Sequence, residues 1–314
     1  MLVQETGQSG SFVTASVVRV SGLTHDYGEV VALKNLEIQI PAGITGLVGA
    51  NGAGKTTLLR ILLGLLHPTA GTSTVLGHDS EREPLEVRSR VGYMPEGECI
   101  PDDLTAAEFV AYTAQLAGLP KSESKRRASE TLFLVGLAEE RFRFLGDFST
   151  GMKQRVKLAQ ALVHDPDLIL LDEPASGLDP KGRDQMLALI RRLGELGLNI
   201  IMSSHVLTDI EQTCQWVVML DGGNLLRSGP LGGFDRLSTV LVEVVDNAEA
   251  VASQLAASGI ESHVDQRRLV VGPGDAGLES LIVAAVAAAD AGLIRMIRSS
   301  ASLEDLFMEG SPLG

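Results

Sequence analysis

One short segment constrains the fold of this chain more than any other. Residues 49–56 read Gly-Ala-Asn-Gly-Ala-Gly-Lys-Thr and match the pattern Gly-x4-Gly-Lys-Ser/Thr of a phosphate-binding loop. An apolar run at 44–48 precedes the loop and is typical of a strand buried on both faces. A helical pattern follows from about Lys55 to Leu66. This order of strand, loop and helix predicts an α/β domain of the P-loop NTPase fold class.

The residue types of this loop suit a nucleoside triphosphate. Glycines let backbone N–H groups turn towards phosphate oxygens, and the helix that begins there adds its positive end. We expect Lys55 to contact the β- and γ-phosphates as a catalytic residue, and the Thr56 hydroxyl to bind Mg²⁺. The loop therefore predicts ATP and Mg²⁺ as cofactors. The loop residues expected to contact the nucleotide are Gly49, Asn51, Gly52, Ala53, Gly54, Lys55, Thr56 and Thr57.

A pair of carboxylates ends a second apolar run. Residues 167–171 read Asp-Leu-Ile-Leu-Leu and are followed by Asp172 and Glu173. Two acids at the end of a buried strand are unfavourable unless they meet a cation, and Mg²⁺-ATP supplies one. We expect Asp172 to hold Mg²⁺ through water and Glu173 to act as general base on the attacking water. The alternative is an ordinary acid pair at a helix start before Pro174.

The composition narrows the range of partners and compartments. The chain has 314 residues, a formal net charge of −14 and a pI of about 4.9, so nucleic acid and direct docking on anionic lipid are not expected. Cys99 and Cys214 lie outside any Cys-x-x-Cys spacing, which argues against a disulfide framework or a zinc ribbon. No run of about 20 apolar residues predicts a membrane span.

The sequence pattern changes at about residue 240. Segments between 240 and 298 follow the order strand, helix, strand, strand, helix, strand, which predicts a small α+β domain with the ferredoxin-like βαββαβ arrangement. Trp216 to Leu220 is predicted as the last strand before it, and a capping box at Ser302 predicts a terminal helix. The predicted parts are a loose tail at 1–15, a nucleotide-binding domain at 16–232 with a helical subdomain at about 97–165, and the small domain at 238–312.

Further motifs surround the loop and the acid pair in a fixed order. They are Tyr27 in Tyr-Gly-x-x-x-Ala-Leu, the segment from Val91 to Glu96, the segment Phe-Ser-Thr-Gly-Met-Lys-Gln-Arg from Phe148 to Arg155, Ser-Gly-Leu-Asp from Ser176 to Asp179, and Ser-Ser-His from Ser203 to His205. With these motifs the chain resembles the ABC (ATP-binding cassette) ATPase family over about residues 17–230. The resemblance implies that Tyr27 stacks on adenine, and that His205 contacts the γ-phosphate and helps position Glu173.

The same resemblance implies that two cassettes act together. Ser149 and Gly151, in the family's signature motif, would meet the γ-phosphate of ATP held by a second cassette, and Asp179 would lie in the D-loop beside it. Two cassettes would then enclose two ATP molecules head to tail, which implies a dimer, and the intact motifs permit a homodimer.

The motifs depart from the family pattern at a few positions. Thr150 and Met152 replace glycine and glutamine of the signature, while Ser149 and Gly151 are kept. Glu96 replaces the glutamine of the Q-loop, and a carboxylate cannot donate a hydrogen bond but can accept one from Mg²⁺-bound water. Glu96 is therefore expected at the metal, the alternative being a solvent-facing loop glutamate.

The resemblance is strongest to the exporter branch that moves drugs, antibiotics, lipids or polysaccharides. It implies an ATPase whose dimer closure drives a separately encoded membrane permease, docked at about residues 97–145, with the protein held at the cytoplasmic face of the cell membrane. The alternatives are a soluble ABC ATPase without a permease and an importer ATPase, which often carries a β-rich barrel at its C-terminal end.

Overall fold

The computed structural model describes residues 16–97, 99–232, 239–272 and 277–299. The elements of residues 16–232 are β1 (Ser16–Asp26), β2 (Val31–Pro41), β3 (Ile44–Val48), α1 (Lys55–Leu62), β4 (Ala70–Val75), β5 (His78–Asp79), α2 (Pro84–Arg90), β6 (Val91–Met94), α3 (Ala106–Leu116), α4 (Lys121–Leu134), α5 (Thr150–Leu162), β7 (Leu168–Leu171), α6 (Pro180–Glu195), β8 (Asn199–Ser204), α7 (Leu207–Thr213), β9 (Trp216–Asp221) and β10 (Asn224–Pro230).

Two sheets form the frame of this part. One has the order β10-β9-β3-β8-β7-β6, and its strands are parallel except for β10. The other is antiparallel, with the order β2-β1-β4-β5. Because the carboxyl ends of parallel strands meet at one edge of a sheet, the loops after β3, β7 and β8 converge there. These are the loops that carry the phosphate-loop, acid-pair and histidine motifs.

The parallel sheet separates two apolar cores, which explains its continuous apolar runs. Leu168 and Leu170 of β7 pack in the core that also contains β1, β2 and α1, while Ile169 and Leu171 pack in the core on the other face with α3, α4 and α5. All residues of β3 and β7 are buried. Burial on both faces requires apolar residues at every position instead of alternate ones.

A helical layer lies between β6 and β7 in the chain. It consists of α3, α4, two short 3₁₀ turns (Glu140–Phe142 and Leu145–Asp147) and α5. α3 starts at a capping box in which the Thr105 hydroxyl accepts the Glu108 N–H while the Glu108 carboxylate accepts the Thr105 N–H. Within the described ranges no helix has the length and apolar character needed to cross a bilayer.

Two boundaries differ from the sequence predictions. The prediction that Trp216 to Leu220 is the last strand is wrong, because Gly222 and Gly223, at φ 50° and 83°, turn the chain into β10, which pairs with β9. α1 ends at Leu62, earlier than predicted, because Gly64 adopts a left-handed φ of 62° just beyond it.

The C-terminal described residues form a separate small unit. Its elements are β11 (Thr239–Val244), α8 (Ala248–Ala257), β12 (Ser262–Asp265), β13 (Arg268–Val271), α9 (Leu278–Ala288) and β14 (Leu293–Ser299). The four strands form an antiparallel sheet of order β12-β13-β11-β14, and both helices share one apolar core with it. The predicted tail at 1–15 and the predicted helix at Ser302 lie outside the described residues.

Candidate active site

The phosphate loop is shaped by glycines that no other residue replaces without strain. α1 begins at Lys55, and its N-cap Gly54 has a φ of 102°. A Cβ on Gly54 would lie 2.6 Å from the carbonyl oxygen of Ala32, and one on Gly49 would lie 2.4 Å from that of Leu220. The loop therefore turns tightly onto neighbouring backbone, and the first residues of α1, Lys55, Thr56 and Thr57, line the cavity beside it.

A cavity of about 390 Å³ opens beside this loop. It brings together residues that lie far apart in the sequence, and most of the positions predicted for the nucleotide line it. The lining residues are Tyr27, Val30, Ala32, Asn51, Gly52, Ala53, Gly54, Lys55, Thr56, Thr57, Glu96, Asp172 and Glu173.

The carboxylate pair is buried and fixed at this cavity. Asp172 and Glu173 are 1% and 7% exposed. One Asp172 oxygen accepts the Thr56 hydroxyl at 2.8 Å, and the other accepts the Ser203 hydroxyl at 2.7 Å. The Glu173 backbone N–H donates to the Ser203 oxygen at 2.9 Å. Ser203, itself fully buried, thus joins the two acids.

The Glu173 side chain lies between two basic groups. The Lys55 ammonium is 3.5 Å from Glu173 Oε1, and His205 Nδ1 is 3.0 Å from Oε2. Glu173 has a left-handed φ of 49°, an uncommon conformation for a non-glycine residue that clusters at functional positions. Lys55 also donates to the carbonyl oxygen of Gly49 at 2.6 Å. The predicted base Glu173, the loop lysine Lys55 and His205 are therefore brought together.

The donor set at the cavity fits a magnesium–nucleotide complex. Oε1 of Glu173 is buried and accepts no hydrogen bond from the described residues. The Thr56 hydroxyl and the Asp172 carboxylate lie side by side, and Mg²⁺ in such sites takes one or two protein oxygens together with phosphates and water. Within the described ranges, no group of three or more His, Cys, Asp or Glu side chains is placed to hold a metal ion.

The aromatic and Q-loop residues lie at the rim of the same cavity. The Tyr27 ring is 53% exposed and is held edge-on by the His25 ring at 4.5 Å, and its hydroxyl is 3.4 Å from Thr57 Oγ1. Lys157 donates to the Glu96 carbonyl oxygen at 2.9 Å, which fixes the Q-loop backbone and leaves the carboxylate at the cavity. Burial, followed by the charge of Asp172, raises the pKa of Tyr93 to about 12, so its hydroxyl stays protonated.

The signature and D-loop residues line a different cavity. Ser149 is the N-cap of α5 and accepts the Met152 N–H, while Asp179 is the N-cap of α6 and accepts the Gly182 N–H. These two helix starts face one cavity of about 570 Å³. Its lining includes Ser149, Gly151 and Asp179, and none of the three lines the phosphate-loop cavity. The predicted site is therefore divided between two places on the chain.

Two contacts add residues to which the sequence analysis gave no role. Ser203 was noted only as part of the histidine motif, and a buried small hydroxyl two residues before a histidine carries no signal of its own.

Arg183 of α6 makes a bidentate ion pair with the buried Asp209 of α7, both contacts being 2.7 Å. The hydrogen bonds to Asp209 raise the pKa of Arg183, which keeps it charged. This pair joins the helix that starts at Asp179 to the helix that follows His205.

Comparison with known proteins agrees with this arrangement. Residues 33–176 match the family model described as ABC transporter. The chain is 40% identical over 289 residues to an uncharacterised ABC transporter ATP-binding protein of Synechocystis, with 89% of this chain and 78% of the relative covered. It is 33% identical to the daunorubicin/doxorubicin resistance ATP-binding protein DrrA of Streptomyces peucetius, with 79% and 77% covered. A solved dimeric ATP-binding cassette in a post-hydrolysis state, bound to ADP and phosphate, superposes with a TM-score of 0.61 at 26% identity, with 68% of this chain and 98% of that chain covered.

Proposed function

This chain belongs to the family of ABC transporter ATP-binding proteins and is an ATP-hydrolysing subunit, and we propose that it powers export through a separate membrane permease. Export is supported by the resistance protein among the relatives, and the pairing of two cassettes is supported by the division of the site between two cavities. The phosphate loop and acid pair line one, and the signature and D-loop residues line the other. Such a chain has both halves of a site and needs a second copy to join them.

For the hydrolysis step we assign the roles from the contacts of Glu173. Glu173 accepts the proton of the attacking water, with His205 3.0 Å from one of its oxygens and Lys55 3.5 Å from the other. Lys55 and the loop N–H groups hold the β- and γ-phosphates. Mg²⁺, when bound, neutralises developing phosphate charge. Thr56 and Asp172 would hold it, with Glu96 at the rim.

Tyr27 and a second copy complete the proposed nucleotide site. The exposed ring of Tyr27 offers adenine an open face at the mouth of the phosphate-loop cavity. The γ-phosphate side would be closed by Ser149 and Gly151 of another cassette, where the start of α5 supplies N–H donors. Because one chain carries every motif, we propose a homodimer with two-fold symmetry.

The permease would dock on the helical layer, at the cytoplasmic face of the membrane. Tyr112 and Leu116 lie four residues apart on one face of α3 and are 54% and 68% exposed. Phe142 and Phe144, in and beside the first 3₁₀ turn, are 69% and 55% exposed, and that turn packs against α3. Exposed aromatic and aliphatic side chains in one region are typical of a protein-binding surface.

The small C-terminal unit supports the proposed domain division at 16–232 and 238–312. Its element order and its sheet order β12-β13-β11-β14 support a ferredoxin-like assignment.

The name of the relative DrrA, which refers to drug resistance, supports export as the direction of transport.

The permease proposal is tested by copurification from host membranes in mild detergent. We expect a multi-span membrane protein in stoichiometric amount with the wild-type chain, and much less with Leu116→Asp. Leu85→Asp is the matched control, because Leu85 is at least as exposed, at 74% against 68% for Leu116, but lies on α2 outside the helical layer. Recovery of wild-type chain without any membrane partner would favour the alternative of an ABC ATPase that works without a permease.

A further inference from the structure

Among the described residues, the helices α8 and α9 cover only one face of the C-terminal sheet. α8 and α9 pack on the face formed by Val240, Val242, Leu269 and Val271. The residues that alternate with these point to the opposite side and are exposed or half-buried. An exposed apolar sheet face is a common place for protein association.

Eight side chains form two complete rows across this outer face. In sheet order, the first row is His263, Val270, Leu241 and Ile297, which we call the apolar row after its three aliphatic members, and the charged row is Asp265, Arg268, Glu243 and Arg295. The three aliphatic side chains of the first row are 36–41% exposed. We call these eight residues the outer face.

The charges of the second row alternate in sign and sum to zero. Acid and arginine follow one another from β12 to β14, and Arg268 Nε lies 3.6 Å from Glu243 Oε1. The whole chain carries a net charge of −14, so most of its surface repels another copy of itself. The outer face, whose charges cancel, lacks that repulsion. Because acids and arginines alternate along the charged row, the row places each acid opposite an arginine when it meets a second copy of itself running in the opposite direction.

We propose that the outer faces of two copies pack against each other when the two cassettes pair, so this inference rests on the dimer of the proposed function. A two-fold axis parallel to the strands, between β13 and β11, reverses the order of each row. Arg268 then faces the second copy's Glu243, and Asp265 faces the second copy's Arg295. In the apolar row, Val270 faces the second copy's Leu241.

The charge pattern selects this axis over the other two-fold arrangement. An axis perpendicular to the strands would lay the apolar row on the charged row, leaving Glu243 and Arg268 buried against aliphatic side chains. Burying charges without partners is strongly unfavourable. Only the axis along the strands satisfies both rows, and the contact is then isologous, as closed dimers require.

The size of the face indicates when the contact forms. Four strands about 4.8 Å apart and two rows of side chains give roughly 300 Å² per copy, against about 800 Å² per partner in a stable complex. The face is too small to hold two free chains together. Once ATP has paired the cassettes, the same contact becomes intramolecular and adds to the stability of the closed dimer.

A charge-sorting experiment tests the proposal in the full chain with Glu173→Gln to slow hydrolysis. Asp265→Lys/Glu243→Lys makes the charged row entirely positive, and Arg268→Glu/Arg295→Glu makes it entirely negative. We expect each variant alone to form the ATP-dependent dimer with a Kd about tenfold higher than the parent, and an equimolar mixture to recover most of the affinity as mixed dimers. Mass photometry with a size tag on one variant measures both quantities.

Two controls separate the outer face from general charge effects. Asp246→Lys/Glu249→Lys makes the same change of charge outside the two rows and is expected to leave the Kd unchanged. Leu241→Ala/Ile297→Ala, which changes no charge, is expected to weaken the dimer. Equal Kd values for the parent, both charge variants and their mixture would overturn the inference while leaving the cassette dimer intact. A parent that does not dimerise with ATP would overturn both.

Discussion

At the scale of single residues, the buried hydroxyl of Ser203 organises the acid pair. It donates to Asp172 and accepts the backbone N–H of Glu173, whose φ is left-handed. Asp172 and Glu173 themselves were predictable, because two acids after an apolar run are a strong local pattern. The role of Ser203 was not, because its partners lie about thirty residues away and only the β7–β8 pairing brings them together.

We predict that Ser203→Ala lowers kcat by about tenfold or more and changes KM for ATP little. The substitution leaves a buried N–H and a buried carboxylate oxygen without a partner, which costs about 1–3 kcal/mol, and a loss of 1.4 kcal/mol in the transition state is a factor of ten. Steady-state ATPase kinetics measure both constants. Ser204→Ala is the control, because the Ser204 hydroxyl serves only a local turn with Val206. Equal effects of the two substitutions would remove the positioning role.

At the scale of elements, the Arg183–Asp209 pair connects two helices that begin near functional residues. Asp209 is 4% exposed, and the guanidinium of Arg183 is the ion-pair partner of its buried carboxylate. The pair fixes α6, which starts at Asp179, relative to α7, which follows His205. We infer that this ion pair holds the D-loop residue Asp179 and His205 in fixed positions relative to each other.

We predict that Arg183→Gln reduces the free energy of unfolding by about 2–3 kcal/mol, because it leaves a buried carboxylate without its cation, while the partial exposure of Arg183 reduces the loss. Arg90→Gln is the matched control. It breaks the Arg90–Asp167 pair, which has the same 2.7 Å contact but two exposed partners, and is expected to cost less than about 1 kcal/mol. Urea denaturation compares the two, and equal losses would contradict the argument.

The elements differ in how far the sequence predicted them. β3 and β7 were predicted because strands buried on both faces are apolar at nearly every position. β4 was missed because Ala-Gly-Thr-Ser-Thr-Val is polar and half exposed, and it becomes a strand through pairing with β1. β10 was missed because its Ser-Gly-Pro end suggests a turn, and it is held as an edge strand by β9.

At the scale of the whole molecule, the residues predicted for one nucleotide site lie at two places on the chain. The phosphate loop with its acid pair and the signature with the D-loop line separate cavities of one chain. Every motif was visible in the sequence, but only the family resemblance implied that the signature serves a second cassette, because the separation depends on the positions of α5 and α6 relative to β3. We propose that ATP joins the two halves across a two-fold dimer.

Mixing two inactive chains tests whether a dimer completes the site. Lys55→Ala removes the phosphate contact of the loop, and Ser149→Arg blocks the signature, so each chain alone is predicted to lack ATPase activity. In a mixed dimer, the Ser149→Arg chain contributes an intact loop and the Lys55→Ala chain an intact signature, which together make one complete site. With random pairing, half the dimers have one such site, and the mixture is predicted to recover about a quarter of the wild-type rate. A Ser149→Arg chain that hydrolyses ATP at the wild-type rate by itself, or a mixture no more active than its separate components, would contradict the account.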